Sequence, residues 1–145
     1  MRELPRQLSV AKLAELFEGR TRLVERLAEL QDPLERVDDV LVALSHEEKV
    51  EALNAHPAIG ARNLSERSAA EQGMDADPAI LAELAYQNQV YEEKFGFRFV
   101  VFVAGRPKRE ILKVLSERIG NTREEELDTG LRELVAIARD RWTRT

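Results

Sequence analysis

A chain of 145 residues, 43% hydrophobic and 34% charged, has the size and balance of one folded domain with its own core. Its formal charge of −5, with no basic block, argues against nucleic acid or an anionic membrane as the main partner. The absence of cysteine removes disulfides, thiolate nucleophiles and thiolate metal ligands together, and fits a reducing cytosol.

In chain order, the N-terminal stretch MRELPRQLSVAKLAELFEG lacks the apolar run of a signal peptide. No segment approaches the roughly 20 apolar residues that span a bilayer. A cytoplasmic protein with one domain over residues 1–145 is therefore expected. Helices are predicted near 8–18, 21–30, 33–43 and 46–54, then a short one near 68–73, and finally 78–95, 108–119 and 123–142. The boundaries come from local signals. Asp32-Pro33 and Asp77-Pro78 each place a capping carboxylate before a proline suited to the first helical position. Ser45/Glu48, Ser68/Glu71 and Thr122/Glu125 have capping-box spacing, and Gly19, Gly96 and Gly120 stand where helices stop.

Two helices have informative faces. In 78–95, Ile80, Leu84, Asn88, Tyr91 and Phe95 form one stripe that should face the core, with Asn88 its polar member. In the last helix the stripe is Leu127, Leu131, Leu134 and Ala138. At about 100° per residue Arg141 continues it, whereas Arg139 points away. Between these helices, FGFRFVVFVAGR (Phe95 to Arg106) reads locally as a buried strand. It has no partner of similar quality, and a lone strand cannot satisfy its backbone. The fold class expected is thus all-α, a compact helical domain with one extended apolar segment near 97–103 whose backbone groups can serve a ligand.

The polar stretch NAHPAIGARNLSERSAAEQG, Asn54 to Gly73, carries the chemistry. His56 precedes proline, which pushes it out of the helical region at a helix end. There it either caps the carbonyls of helix 46–54 or works as a general acid or base near neutral pH. Ser68, Glu71 and Gln72 fall within one turn. Ser-x-x-Glu is a capping box, yet the same hydroxyl, carboxylate and free amides suit a polar heterocycle. His46 is given no role. Two histidines without cysteine make a poor metal site, and neither a phosphate loop nor a nucleophile elbow is present.

The ordered set HPAIGAR, SAAEQ, NQVYEEKFGFRFVVFVAGR and ILKVLSERIGNTREEEL resembles the 2-oxo-4-hydroxy-4-carboxy-5-ureidoimidazoline (OHCU) decarboxylases of uric acid degradation, from about Leu41 to Trp142. The resemblance implies an all-α homodimer that uses no metal or organic cofactor. It implies a small-molecule substrate, which loses CO₂ and is protonated stereospecifically to (S)-allantoin. The family's catalytic pair falls on His56 and Glu71. Its substrate-binding positions fall on Pro57, Ser68, Gln72, the segment Phe99, Val100 and Val101, and Arg141. One departure is Trp142, where the family pattern has leucine after the arginine. Two rival readings are a non-catalytic helical interaction module, and a related lyase acting on another ureido or imidazoline acid.

Overall fold

The structure is a computed structural model that describes residues 3–57 and 77–144. Among the described residues it is helical throughout, with no strand. The helices are α1 (Val10–Phe17), α2 (Arg22–Ala28), α3 (Val37–Ala43), α4 (His46–Asn54), α5 (Pro78–Phe95), α6 (Lys108–Arg118) and α7 (Arg123–Arg144). The short helix expected near 68–73 lies outside the described residues. None of these helices is long and apolar enough to cross a membrane.

Local signals set most boundaries. Ser45 and Glu48 make both bonds of a capping box at α4. Thr122 and Glu125 do the same before α7. The Glu125 carboxyl is held below its usual range by those bonds, the one to the Thr122 backbone first. Asp77 accepts from the Ala79 amide at 2.9 Å, with Pro78 next in line. Gly96 closes α5 in the left-handed region at φ 80°, where a side chain would be strained.

Two boundaries differ from expectation. Asp32-Pro33 does not start a helix: Asp32 has φ 53°, so it cannot adopt the extended backbone a cap needs. Its carbonyl accepts from the Glu35 and Arg36 amides in an isolated turn. That turn tucks Pro33 and Leu34 into the core, and α3 begins only at Val37. The second difference is at α1, where the left-handed position falls on Glu18 (φ 65°) rather than on Gly19.

The core is one cluster running through every described helix. Its larger side chains each contribute roughly 1.5–3 kcal/mol by leaving water. Helix α1 packs on α2 and α7, α4 packs on α2 and α7, and α5 packs on α6. The α4–α7 contact explains Gly130, which lies inside a helix at some cost in propensity. A Cβ there would come within 3.1 Å of Leu53 Cδ2. Leu127, Leu131, Leu134, Ala138 and Arg141 are all buried, as the stripe requires.

The segment 97–103 is extended and buried, and pairs with no strand. Side chains supply the partners a sheet would have given. Arg118 donates to the Val100 carbonyl at 2.8 Å, and Glu133 accepts from the Phe102 amide at 3.3 Å. Arg106 donates to the Phe102 and Val103 carbonyls at 2.6 and 3.1 Å. Arg118 is fixed in turn by Glu126, at 2.7 Å. Glu126, fully buried, also accepts from Tyr91 at 2.7 Å and Asn121 at 2.9 Å. Burial, and then that bond, push the Tyr91 hydroxyl pKa up, so it stays a neutral donor. Tyr91 packs on Phe99 with ring centroids 5.3 Å apart, and the Arg118 guanidinium lies over the same Phe99 ring at 4.6 Å from its centroid. The segment is held from α5, α6 and α7 together.

Candidate active site

Helix α4 ends at Asn54 in a tightened turn that satisfies its last carbonyls: the Ala55 amide reaches Glu51 and Leu53, and the His56 amide reaches Leu53. Pro57 then prevents continuation. The turn so formed is tied to the extended segment by two bonds. The Arg98 amide donates to Asn54 Oδ1 at 3.0 Å, and the Arg98 guanidinium donates to the His56 carbonyl at 2.9 Å. Arg98 itself lies 3.9 Å from Glu92 on α5.

The histidine so placed is buried, with 8% of its surface exposed, and its Nδ1 has no hydrogen-bond partner among the described residues. Of the two readings of His56, capping α4 finds no support at that atom. The imidazole pKa is pushed down to about 4, first by burial, next by the positive charge of Arg141, with Glu18 opposing and Arg98 adding to the depression. At neutral pH His56 is therefore an uncharged imidazole, able to accept a proton or to share one by hydrogen bonding.

Arg141 reaches this region from α7 and is 1% exposed. Its guanidinium donates to the Leu16 and Glu15 carbonyls at 3.1 and 3.4 Å, and pairs with Glu18 at 3.1 Å. The free carbonyls at the C-terminus of α1 carry partial negative charge and favour a cation there. Arg139 points elsewhere, donating to the Leu34 carbonyl at 2.9 Å. Trp142 anchors the N-terminal segment through a 2.7 Å bond from its indole to the Glu3 carbonyl.

Of the residues expected at the site, His56 and Arg141 come together electrostatically. Phe99, Val100 and Val101 are buried in the segment whose Arg98 clasps the His56 turn, and Pro57 follows half-buried. Ser68, Glu71 and Gln72 lie outside the described residues. Sequence reasoning missed Arg98 and Glu18. A charged residue inside the apolar run FGFRFVV was a signal for the first; nothing local marked the second.

A cleft of about 630 Å³ opens at the far end of α4, lined by Leu41, Val42, His46, Lys49, Leu127 and Arg132 among others, and includes neither His56 nor Arg141. Among the described residues no group of three histidine or carboxylate side chains is placed to hold a metal ion.

A sequence model of the OHCU decarboxylase family matches residues 2–143. The chain belongs to the OHCU decarboxylase family. Among its relatives, the 2-oxo-4-hydroxy-4-carboxy-5-ureidoimidazoline decarboxylase of Haloferax volcanii is 30% identical over 142 residues, covering 89% of this chain and 83% of that protein. The uric acid degradation bifunctional protein PucL of Bacillus subtilis is 25% identical over 97% of this chain, which spans 31% of that longer protein. A crystal structure of an OHCU decarboxylase in the presence of (S)-allantoin superposes with a TM-score of 0.77 over 92% of this chain and 96% of that one, at 24% identity. At that identity the likeness speaks for the all-α fold of the OHCU decarboxylases.

Proposed function

We propose that the chain decarboxylates 2-oxo-4-hydroxy-4-carboxy-5-ureidoimidazoline to (S)-allantoin in urate degradation. The observation that carries this reading is a buried His56 whose imidazole feels the charge of a buried Arg141, in a chain matched by the OHCU decarboxylase family over 2–143. The related OHCU and uric acid degradation proteins support the activity.

The substrate carries its own electron sink. When the C4–carboxylate bond breaks, its electron pair becomes a C4=C5 bond, and the pair of the ring C=N moves onto nitrogen, which takes a proton. Loss of the C4 hydroxyl proton and protonation of C5 then give the carbonyl and the stereocentre of allantoin. No pyridoxal or metal is needed to receive the electrons. The protein must orient the carboxylate against the π system and move protons.

In this reading uncharged His56 takes the C4 hydroxyl proton. The resulting imidazolium sits beside Arg141 in a buried place, so it gives the proton up readily. Glu71 orients the imidazole, Ser68 and Gln72 hydrogen-bond the polar substrate, and Pro57 shapes the turn. Arg141 faces an anionic part of the substrate. Phe99, Val100 and Val101 wall off water and offer backbone groups to the ring. The chain works as one domain over 1–145, as a cytoplasmic homodimer acting on a small molecule without a cofactor.

The test is stereochemical, because a proton added without the protein has no preferred face. Substrate generated in situ from urate, followed by polarimetry, should give one enantiomer of allantoin with the protein and racemate without it. Racemic product at the unassisted rate would overturn the proposal.

A further inference from the structure

The last turn of α1 ends in an unusual way. Glu18 has φ 65° and ψ 28°, the left-handed region in which an L side chain crowds the following carbonyl. Gly19, next in the chain, would adopt that conformation without strain. It serves another purpose: a Cβ on Gly19 would lie 3.3 Å from the Ala55 Cβ, so its absence lets the end of α1 close on the turn that carries His56. Strained residues of this kind persist where surrounding structure fixes them, and they gather at functional sites.

The strain has a product. It delivers the Glu18 carboxylate to the Arg141 guanidinium, at 3.1 Å, with the two side chains 16% and 1% exposed. The same guanidinium is held through its other nitrogen by the Leu16 and Glu15 carbonyls. The fork of Arg141 is therefore fixed in orientation by one turn of α1.

We propose that Glu18 is a positioning residue that locks Arg141 beside His56 and offsets its charge, so that Arg141 orients the substrate carboxylate without over-stabilising it. The inference rests on the decarboxylase reading. An uncompensated cation in a low-dielectric site attracts a carboxylate strongly. That attraction is lost as the carboxylate becomes neutral CO₂, so it favours the ground state over the transition state and slows the step. A guanidinium already paired with Glu18 avoids that outcome and keeps its directionality.

The test compares Glu18→Gln and Glu18→Asp with the wild-type chain, reading kcat and KM for production of the single enantiomer. Glu18→Gln should lower kcat by about tenfold and lower KM with it, the signature of a ground state bound too well. Glu18→Asp keeps the charge and should recover part of kcat. The acid limb of kcat/KM gives a second readout. Among the described residues the charges facing His56 are Arg141 from α7, Arg98 from the extended segment and Glu18 from α1. Removing the one that opposes the others should move that limb to lower pH.

An unchanged or raised KM in folded Glu18→Gln, with the acid limb unmoved, would overturn the proposal and leave Glu18 a structural ion pair. If Glu18→Gln does not fold, Glu18→Asp decides, since wild-type kcat in that shortened variant contradicts a positioning role. Racemic product from the wild-type chain would instead remove the decarboxylase reading itself.

Discussion

Replacing Glu126 by glutamine keeps the side chain's shape and removes its charge. Glu126 is 0% exposed and accepts from Arg118, Tyr91 and Asn121 at 2.7, 2.7 and 2.9 Å. Arg118, 7% exposed, would then remain buried opposite a neutral amide. Removing one member of a buried pair costs about 3–5 kcal/mol. At roughly 2–4 °C per kcal/mol for a domain of this size, Tm should fall by about 6–20 °C. The glutamine oxygen still accepts one bond, which places the expectation in the lower half of that range. Thermal unfolding followed by far-UV circular dichroism measures the shift in Tm, and urea unfolding the free energy. A double variant, Glu126→Leu with Arg118→Met, removes both charges and should recover part of the loss, because the desolvation cost of the pair disappears while the Tyr91 hydroxyl and Asn121 amide lose their acceptor. It should nevertheless remain impaired in turnover, because the Val100 carbonyl has lost its Arg118 donor. A loss below about 1 kcal/mol for Glu126→Gln, typical of exposed pairs, would refute the reasoning.

Stability should also depend on pH through His56, whose pKa is near 6.5 in the unfolded chain and about 4 in the folded one. Between those values the unfolded chain binds a proton that the folded chain does not. Stability should therefore fall by about 3 kcal/mol as pH drops from about 6.5 to about 4, and be insensitive to this group above that window. The difference between wild type and His56→Asn in urea titrations across that range isolates the effect. Gly96→Ala should cost about 1–2 kcal/mol, since φ there is 80°; equal unfolding midpoints would contradict that. Arg98→Met frees the His56 carbonyl and should lower kcat by about tenfold with the fold retained, which steady-state kinetics and circular dichroism together check.

Much of the fold was legible because its boundaries are local chemistry. Ser45/Glu48, Asp77-Pro78, Thr122/Glu125 and Gly96 each act within one turn, and each ends or starts a helix where expected. The face of α7 was readable for the same reason: a fixed angle per residue puts Arg141 inward and leaves Arg139 half-buried, bonded to Leu34. Asp32-Pro33 misled because the same dipeptide serves a turn when burial of Pro33 and Leu34 governs the backbone. The strand-like run 97–103 was rightly kept out of a sheet. What the sequence could not reveal was its replacement partners, since Arg118 and Glu133 reach it from helices many residues away and Arg118 is in turn held by Glu126. The candidate site divides likewise. His56 announces itself by its place before Pro57. Glu18 and Arg98 matter through contacts with Arg141 and the His56 carbonyl that no local spacing encodes.

His56 is expected to move protons in a stereospecific decarboxylation. The direct measurement is polarimetry of allantoin formed from substrate generated in situ, with the wild-type chain and with His56→Ala at equal folded concentration. A positioned acid–base group contributes about 10²–10⁴-fold. Rapid formation of one enantiomer is expected from the wild type, and a loss of at least that size in the variant. Equal rates and equal enantiomeric purity from the two proteins would contradict it.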